Sequence, residues 1–351
     1  MQSNSEISFP WKPSQSPVIA AAKYKSSPED FIVEEELSFE LSGDGEHEFL
    51  WVEKRNANTQ WVIKHIAQWL GVRERDIGHA GLKDKHGVTR QWLSVYLPGK
   101  ALPETLLTHD DFAILKNVRH NKKLKIGSIR ENRFTLILRA VKGEKEDIEQ
   151  RLQKIAQTGF PNYFGEQRFG FAMNNLSKAR AMLVQKRRFK KSQQSIYLSA
   201  IRSWFFNQFL ASRISSEHWQ RPMTGDRINL NSTRSFFVYD AEDEDLSGRL
   251  LAGDVHVAGP LPGKDIFSLQ PPLSDDLLKT WEEYADCLEF LPGKTDFRSL
   301  RVIPGNLSWQ WMNSDDDLEL SFALSSGSYA TALLHELGSV EDAAPKHRNA
   351  G

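Results

Sequence analysis

The 351-residue chain contains one cysteine, Cys287. A single thiol cannot close an intrachain disulfide or build a Cys-based zinc cluster. No apolar run approaches the roughly 18 residues that a membrane span requires. The opening Met1-Gln-Ser-Asn-Ser-Glu-Ile-Ser has neither the basic start nor the apolar stretch of an export signal. Phosphate loops are also missing. Gly293-Lys-Thr295 has the tail of one, but the position of its first glycine is held by Leu288. His335-Glu-Leu-Gly lacks the second histidine of a zinc-protease helix. These absences predict a cytoplasmic protein with no cofactor, no metal and no membrane partner; a monomer is expected. With 40% hydrophobic and 26% charged residues, the composition is that of a globular protein. The length suits two domains of roughly 100–200 residues each.

Charge of one sign is missing locally rather than globally. The net charge is −1, yet Gln167–Ser216 holds ten Lys and Arg and no acid, and Phe112–Arg130 holds six and no acid. The balancing carboxylates gather in Asp240-Ala-Glu-Asp-Glu-Asp245 and Asp315-Asp-Asp-Leu-Glu319. Such segregation predicts a basic face suited to an anionic polymer, with a merely solvated basic surface as the plainer reading.

Local patterns give an outline of the fold. Phe31-Ile-Val-Glu-Glu-Glu and Glu48-Phe-Leu-Trp-Val-Glu-Lys read as strands joined by the turn Ser42-Gly-Asp-Gly45. The segment from Asn58 to Gly71 reads as a helix, capped at Asn58 or Thr59 and stopped by Gly71. Trp92–Leu97 and Arg133–Arg139 read as strands, and the stretch from Glu144, closed by Gly159, as an amphipathic helix. Ser192–Ile214 reads as a helix with Ile196, Leu198, Ile201, Trp204, Phe205 and Phe209 on its buried side. From about Gly225 to Pro304 the chain changes to Gly/Pro turns and short alternating runs.

The chemistry concentrates in Gly78-His-Ala-Gly-Leu-Lys-Asp-Lys-His-Gly-Val-Thr-Arg-Gln-Trp92. Here one carboxylate, Asp84, stands among two lysines and two histidines on a glycine-punctuated turn. A carboxylate among cations is expected to be ionised and can act as nucleophile or base, while the cations hold an anionic substrate beside it. A turn aspartate bonding its own backbone is the plain alternative.

This segment resembles the signature of the TruD family of tRNA pseudouridine synthases, A-G-x-K-D-[KR]-x-x-V-T-x-Q-W. Four further segments match that family in order: Lys25-Ser-Ser-Pro-Glu-Asp-Phe-Ile-Val-Glu-Glu35, Asn132-Arg-Phe134, Pro161-Asn-Tyr-Phe-Gly-Glu-Gln-Arg-Phe-Gly170 and Gly327-Ser-Tyr-Ala-Thr-Ala-Leu-Leu334. The resemblance implies an α+β (mixed α/β) fold: a pseudouridine-synthase domain, largely an antiparallel sheet with helices, interrupted by an inserted α/β domain. The expected division is an arm at 1–20, a discontinuous catalytic domain at 21–158 and 305–340, the insertion at 159–304 and a tail at 341–351.

The resemblance also implies an activity, the isomerisation of uridine to pseudouridine in tRNA, at uridine 13 of the D-arm. Asp84 matches the catalytic aspartate, acting by attack on the sugar or by proton removal from it. Phe134 matches the ring packed on the target base, though a strand-core phenylalanine is the bland reading. Asn132 shares its strand face by period-two alternation and can orient a carboxylate or read a uracil edge. Phe31 and Tyr329 match aromatic pocket positions, and Lys25 a basic residue near the aspartate. Arg168, Lys186, Arg187, Lys190 and Lys191 are candidates for the RNA backbone. Gly87 stands where the family commonly has alanine. A non-catalytic RNA binder and a hydrolase with an aspartate nucleophile are the rival classes. The first has no need of Asp84, Asn132 and Phe134, and the second no need of long acid-free stretches.

Overall fold

The computed structural model describes residues 11–231, 233, 235–241, 245–266, 269, 272–282, 291–312 and 316–345. Cys287, the acids at 242–244, Asp315, and the outer parts of the expected arm and tail (1–10 and 346–351) lie outside the described residues.

Seventeen strands are present among the described residues. In chain order they are β1 (Ile19–Tyr24), β2 (Phe31–Leu37), β3 (His47–Arg55), β4 (Ile77–His79), β5 (Val88–Tyr96), β6 (Thr108–His109), β7 (Phe112–His120), β8 (Ile129–Lys142), β9 (Phe160–Pro161), β10 (Arg227–Leu230), β11 (Phe236–Val238), β12 (Val255–Leu261), β13 (Asp296–Ser299), β14 (Arg301–Val302), β15 (Gly305–Trp311), β16 (Leu318–Ser325) and β17 (Gly338–Asp342). The helices are α1 (Thr59–Leu70), α2 (Lys145–Thr158), α3 (Asn174–Leu183), α4 (Lys191–Ser215), α5 (Leu246–Ala252), α6 (Asp275–Glu282) and α7 (Ala330–Leu337).

The chain divides into two compact units. The sheet unit comprises Val18–Leu152, Pro304–Gly327 and the described part of Leu337–Gly351. The helix-rich unit comprises Gln153–Ile303, Ser328–Glu336 and the described part of Met1–Pro17.

In the sheet unit an eleven-stranded sheet runs β15-β16-β8-β2-β5-β3-β7-β6, with β1 and β17 attached through β8 and β4 on β5. Among the described residues only β2–β5 and β1–β17 pair in parallel. The mixed α/β class with a mostly antiparallel sheet is therefore the one expected. Register decides what shares a face. Glu35 lies opposite Asn132, Val33 opposite Phe134, and Phe322 of β16 also opposite Phe134. Along β3, Leu50 and Val52 join Leu93, Val95 and Ile114 in a core cluster with Val62, Ile63 and Ile66 of α1. Helix α1 forms because those apolar residues recur at helical spacing. It ends where Gly71 takes the left-handed conformation (φ 63°) and returns its N–H to Ala67 and Gln68.

In the helix-rich unit β11-β10-β12-β13 form one small sheet and β14-β9 another. The 25-residue α4 buries Tyr197, Ala200, Ile201, Trp204, Phe205, Phe206 and Phe209. Ile196, expected on the buried side, is instead 52% exposed. The buried stripe starts at Tyr197 and continues at three- and four-residue steps, which turns position 196 outward.

Candidate active site

Between β4 and β5 the chain from Gly81 to Gly87 forms no regular structure, yet side chains hold it at almost every step. The Gly81 carbonyl accepts from Gln91 Nε2 (3.3 Å), the Lys83 N–H donates to Thr59 Oγ1 (3.2 Å), and the Gly87 N–H donates to Asn56 Oδ1 (3.3 Å). Thr59 in turn donates to Gln91 Oε1 (2.9 Å). Gly87 sits at φ 133°, and a Cβ there would come within 2.5 Å of the Phe31 carbonyl oxygen. The alanine common in the family pattern would require the loop exit to shift away from β2.

Asp84 stands in the middle of this pinned loop. Its carbonyl accepts from Lys54 Nζ at 2.5 Å. Its carboxylate has no hydrogen bond or ion pair among the described residues. The loop is thus fixed through its backbone while the acid itself stays available, which is the arrangement a reacting group needs.

Lys83 fastens the loop to the sheet. Its ammonium lies 2.8 Å from Glu35 Oε1 and donates to Asn132 Oδ1 at 2.6 Å. Glu35 is buried and also accepts the Trp92 N–H at 3.1 Å. Burial pushes its carboxyl above the usual carboxylate range, with the Lys83 charge pulling the other way. Because the Asn132 oxygen is taken by an ammonium, the amide orientation is set and its NH2 is the end left to donate.

An aromatic row continues from Asn132 across the same face. Phe134 lies flat against Phe322 (5.3 Å, 19°) and edge-on to Phe31 (6.2 Å), which meets Tyr24 at 6.0 Å. Phe134 is 9% exposed. Lys25 adopts a left-handed φ of 59° that carries its Nζ over the Phe31 ring (4.1 Å) and to Asp342 (3.7 Å). Among the described residues it makes no ion pair with Asp84. The sheet unit therefore links Lys25, Phe31 and Phe134 through ring contacts, and ties Asn132 through Lys83 to the loop that carries Asp84.

With this geometry in place, comparisons with known proteins become informative. The sequence profile described as tRNA pseudouridine synthase D (TruD) matches residues 19–190 and 173–337. The chain belongs to the tRNA pseudouridine synthase D family. A family member from Hydrogenovibrio crunogenus, described as tRNA pseudouridine synthase D, is 41% identical over 325 residues, which is 91% of this chain and 93% of the relative. One from Nitrosococcus oceani, with the same description, is 39% identical over 333 residues and 93% of both chains. The crystal structure of a TruD-designated protein from Methanosarcina mazei superposes with a TM-score of 0.65 at 20% identity, covering 93% of this chain and 95% of the other. That last likeness speaks for the fold.

The remaining candidates of the family pattern lie in the helix-rich unit. Tyr329 meets Phe164 edge-on at 6.0 Å. Phe164 is also covered by the guanidinium of Arg298 (4.1 Å) and approached by that of Arg168 (5.2 Å). Burial pushes Arg298 down to about 10, with Arg168 adding to the effect and Tyr329 opposing it. Arg168 donates to Ser199 Oγ at 3.0 Å. Beside it lies a cavity of about 710 Å³, lined by Phe164, Arg168, Lys191, Gln194, Ser199 and Arg202 among others. Lys186, Arg187, Lys190 and Lys191 are exposed along the connection into α4.

The second acid-free stretch behaves differently. Within Phe112–Arg130, Arg119 pairs with Glu48 (2.6 Å), Arg130 with Glu36, and Lys116 lies over the rings of Trp51 and Trp92. A run free of acids in sequence is here folded onto acids from β2 and β3. Sequence reading did not single out Glu35, Lys83, Lys54, Arg202 or Arg298. Strand parity offered one signal, since Lys54 occupies the same side of β3 as Leu50 and Val52.

Proposed function

We propose that this protein isomerises uridine to pseudouridine in tRNA, at uridine 13 of the D-arm, with Asp84 as nucleophile. The observation that supports this reading is a loop pinned at Gly81, Lys83, Gly87 and the Asp84 carbonyl, while the Asp84 carboxylate has no hydrogen bond or ion pair among the described residues. Extruding a nucleotide costs a few kcal/mol, recovered by stacking and by bonds to the base edge. In this reading the extruded uracil stacks on the Phe134 side of the aromatic row beside Phe31. The Asn132 NH2 donates to a uracil carbonyl, and Lys25 adds positive charge near the row.

The chemistry conserves atoms. An Asp84 oxygen bonds to C1′ as the N1–C1′ bond breaks, and uracil leaves with the electron pair on N1. After the base turns, C5 attacks C1′ and displaces Asp84. The C5 proton then passes to solvent and N1 takes one up. No redox partner enters. Tyr329, together with Arg168, Lys186, Arg187, Lys190 and Lys191, is proposed to contact RNA, the cations through its phosphates.

Replacing Asp84 by Asn keeps size and removes charge. Release of tritium from tRNA labelled at uracil C5 is expected to fall at least about a hundred-fold, consistent with several kcal/mol lost with a nucleophile. Affinity for tRNA should change little. Turnover above about a hundredth of wild type would remove Asp84 from the chemistry. Substrate deuterated at ribose C2′ separates the two roles of the carboxylate: a large primary isotope effect would favour proton removal over attack. Pseudouridine mapped at positions other than 13 would correct the site while keeping the reaction.

A further inference from the structure

Lys54 is a lysine in a place where lysines are rarely found. It is 1% exposed on β3, on the side that also carries the core residues Leu50 and Val52. Its cross-strand neighbours are Thr89 on β5 and Phe112 on β7, neither of them charged. The adjacent Glu53 and Arg55 belong to the other side of the strand and pair with Arg90 and Glu29. Lys54 makes no ion pair within 4 Å among the described residues, and its one hydrogen bond goes to the Asp84 carbonyl (2.5 Å). An ammonium so buried is unfavourable unless something compensates it.

The charged groups that act on it come from the loop: Asp84, which favours its charge, and Lys83, which opposes it. An ammonium has three donors, and only one is used here. The opposite charge it senses is a carboxylate with no hydrogen bond or ion pair among the described residues.

We infer that Lys54 is a positioning residue for Asp84, holding the loop by the Asp84 carbonyl and supplying the counter-charge for the Asp84 carboxylate once substrate has displaced water. This rests on the proposed role of Asp84. Covering the site lowers the local dielectric, which disfavours an isolated carboxylate and strengthens its attraction to a fixed cation. The arrangement has a consequence in pH. Burial pushes Lys54 down to about 8. Below that value the ammonium is present, and as pH rises through it the counter-charge is lost.

The test compares Lys54→Gln, which keeps a donor without the charge, with Lys54→Met, which removes both. With saturating tRNA, kcat in both should fall roughly ten- to a hundred-fold, the scale of a misplaced reacting group, while KM moves little. The wild-type kcat should decline as pH rises through about 8, and that decline should vanish in Lys54→Gln. Lys54→Met should melt at or above the wild-type temperature, because a buried ammonium is removed. A purely structural lysine predicts a lower melting temperature and an unaltered pH profile. A kcat within about two-fold of wild type, or an alkaline decline that survives in the variants, overturns the inference. Should neither variant fold, a wild-type profile flat between about pH 7 and about pH 9.5 overturns it equally. Asp84→Asn run in parallel separates the two ideas. If Asp84→Asn turns over, the nucleophile reading fails. If it is dead while Lys54→Gln is normal, only the positioning role fails.

Discussion

The two units treat buried positive charge in opposite ways. In the sheet unit nearly every enclosed cation faces a carboxylate: Lys83 with Glu35, Arg139 with Asp30 (2.6 Å) and Asp317 (2.7 Å), and Arg119 with Glu48. Lys54, beside Asp84, is an exception. In the helix-rich unit Arg168, Arg202, Arg298 and Arg301 form no carboxylate pair among the described residues. They donate to neutral groups instead: Ser199, the Leu261 carbonyl, Asn162 and His256. Arg213 with Asp226 is the counter-example there. The contrast separates two jobs. Where charge is neutralised locally it fixes geometry and leaves little field outside. Where guanidiniums donate to carbonyls, hydroxyls and amides with no carboxylate in ion-pair range, less of the positive charge is neutralised locally and more is left for a polyanion, although Asp296 and Asp265 still act on Arg202.

The sharpest way to break that comparison is to remove one half of a sheet-unit pair. Lys83→Met leaves Glu35 buried without its cation, so unfolding stability should drop by about 3–5 kcal/mol. Adding Glu35→Leu removes the stranded charge and should restore most of the loss in a denaturant titration. Activity should not return with it, because the Asn132 amide has lost the donor that sets its orientation. If the double variant recovers both stability and turnover, the Lys83 bridge is structural alone. If the single variant is as stable as wild type, the pair is not a buried one in solution.

How much of this could be read from the chain differs between elements. Helix α1 with its Gly71 stop was legible, since periodicity and the left-handed cap are both local properties. So was the shared face of Asn132 and Phe134, which follows from strand alternation. Strand β7 was read as a basic run, because charge drew attention away from the buried alternation of Phe112 and Ile114. The C-terminal strands β15 and β16 went unread. In α4 the composition predicted a helix but misjudged its phase at Ile196. The site network was the least legible part. Glu35, Lys83 and Asn132 are about fifty residues apart, and no local signal says that one ammonium will bridge a glutamate and an amide on paired strands. Lys54 could be suspected from parity, but its purpose depends on a loop thirty residues further along.

A second test probes the helix-rich unit through acid. His256 accepts from Arg301 Nε at 2.9 Å, and burial, reinforced by the Arg301 charge, lowers it from 6.5 to about 4. In the unfolded chain this histidine gains its proton below about pH 6.5, while the folded protein resists until about 4. The neutral-histidine contribution is therefore complete above 6.5 and lost as pH falls toward 4, a change on the order of 3 kcal/mol. Subtracting the pH dependence of a His256→Gln variant from that of wild type isolates this contribution. No difference between the two curves would mean that His256 is hydrated or protonated in solution, and the argument that this unit satisfies its arginines with neutral groups would lose its clearest case.

The smallest expected effect decides whether the two acid-free stretches differ in function as they do in structure. Lys186→Gln, Arg187→Gln, Lys190→Gln and Lys191→Gln combined should weaken tRNA binding for all sequences. They should also flatten the log–log salt dependence by roughly 0.7–0.9 per lost phosphate contact. Lys116→Gln with Arg130→Gln removes charge from the other stretch, where one cation lies over Trp51 and Trp92 and the other pairs with Glu36. Since those charges are already engaged, the salt slope should barely move per charge removed. Equal slopes per charge in the two variants would show that RNA displaces the Glu36 pair or contacts both stretches alike. An unchanged slope in the first variant would take the 186–191 connection off the RNA, and the unpaired arginines around Phe164 would then be the remaining source of phosphate contacts in that unit.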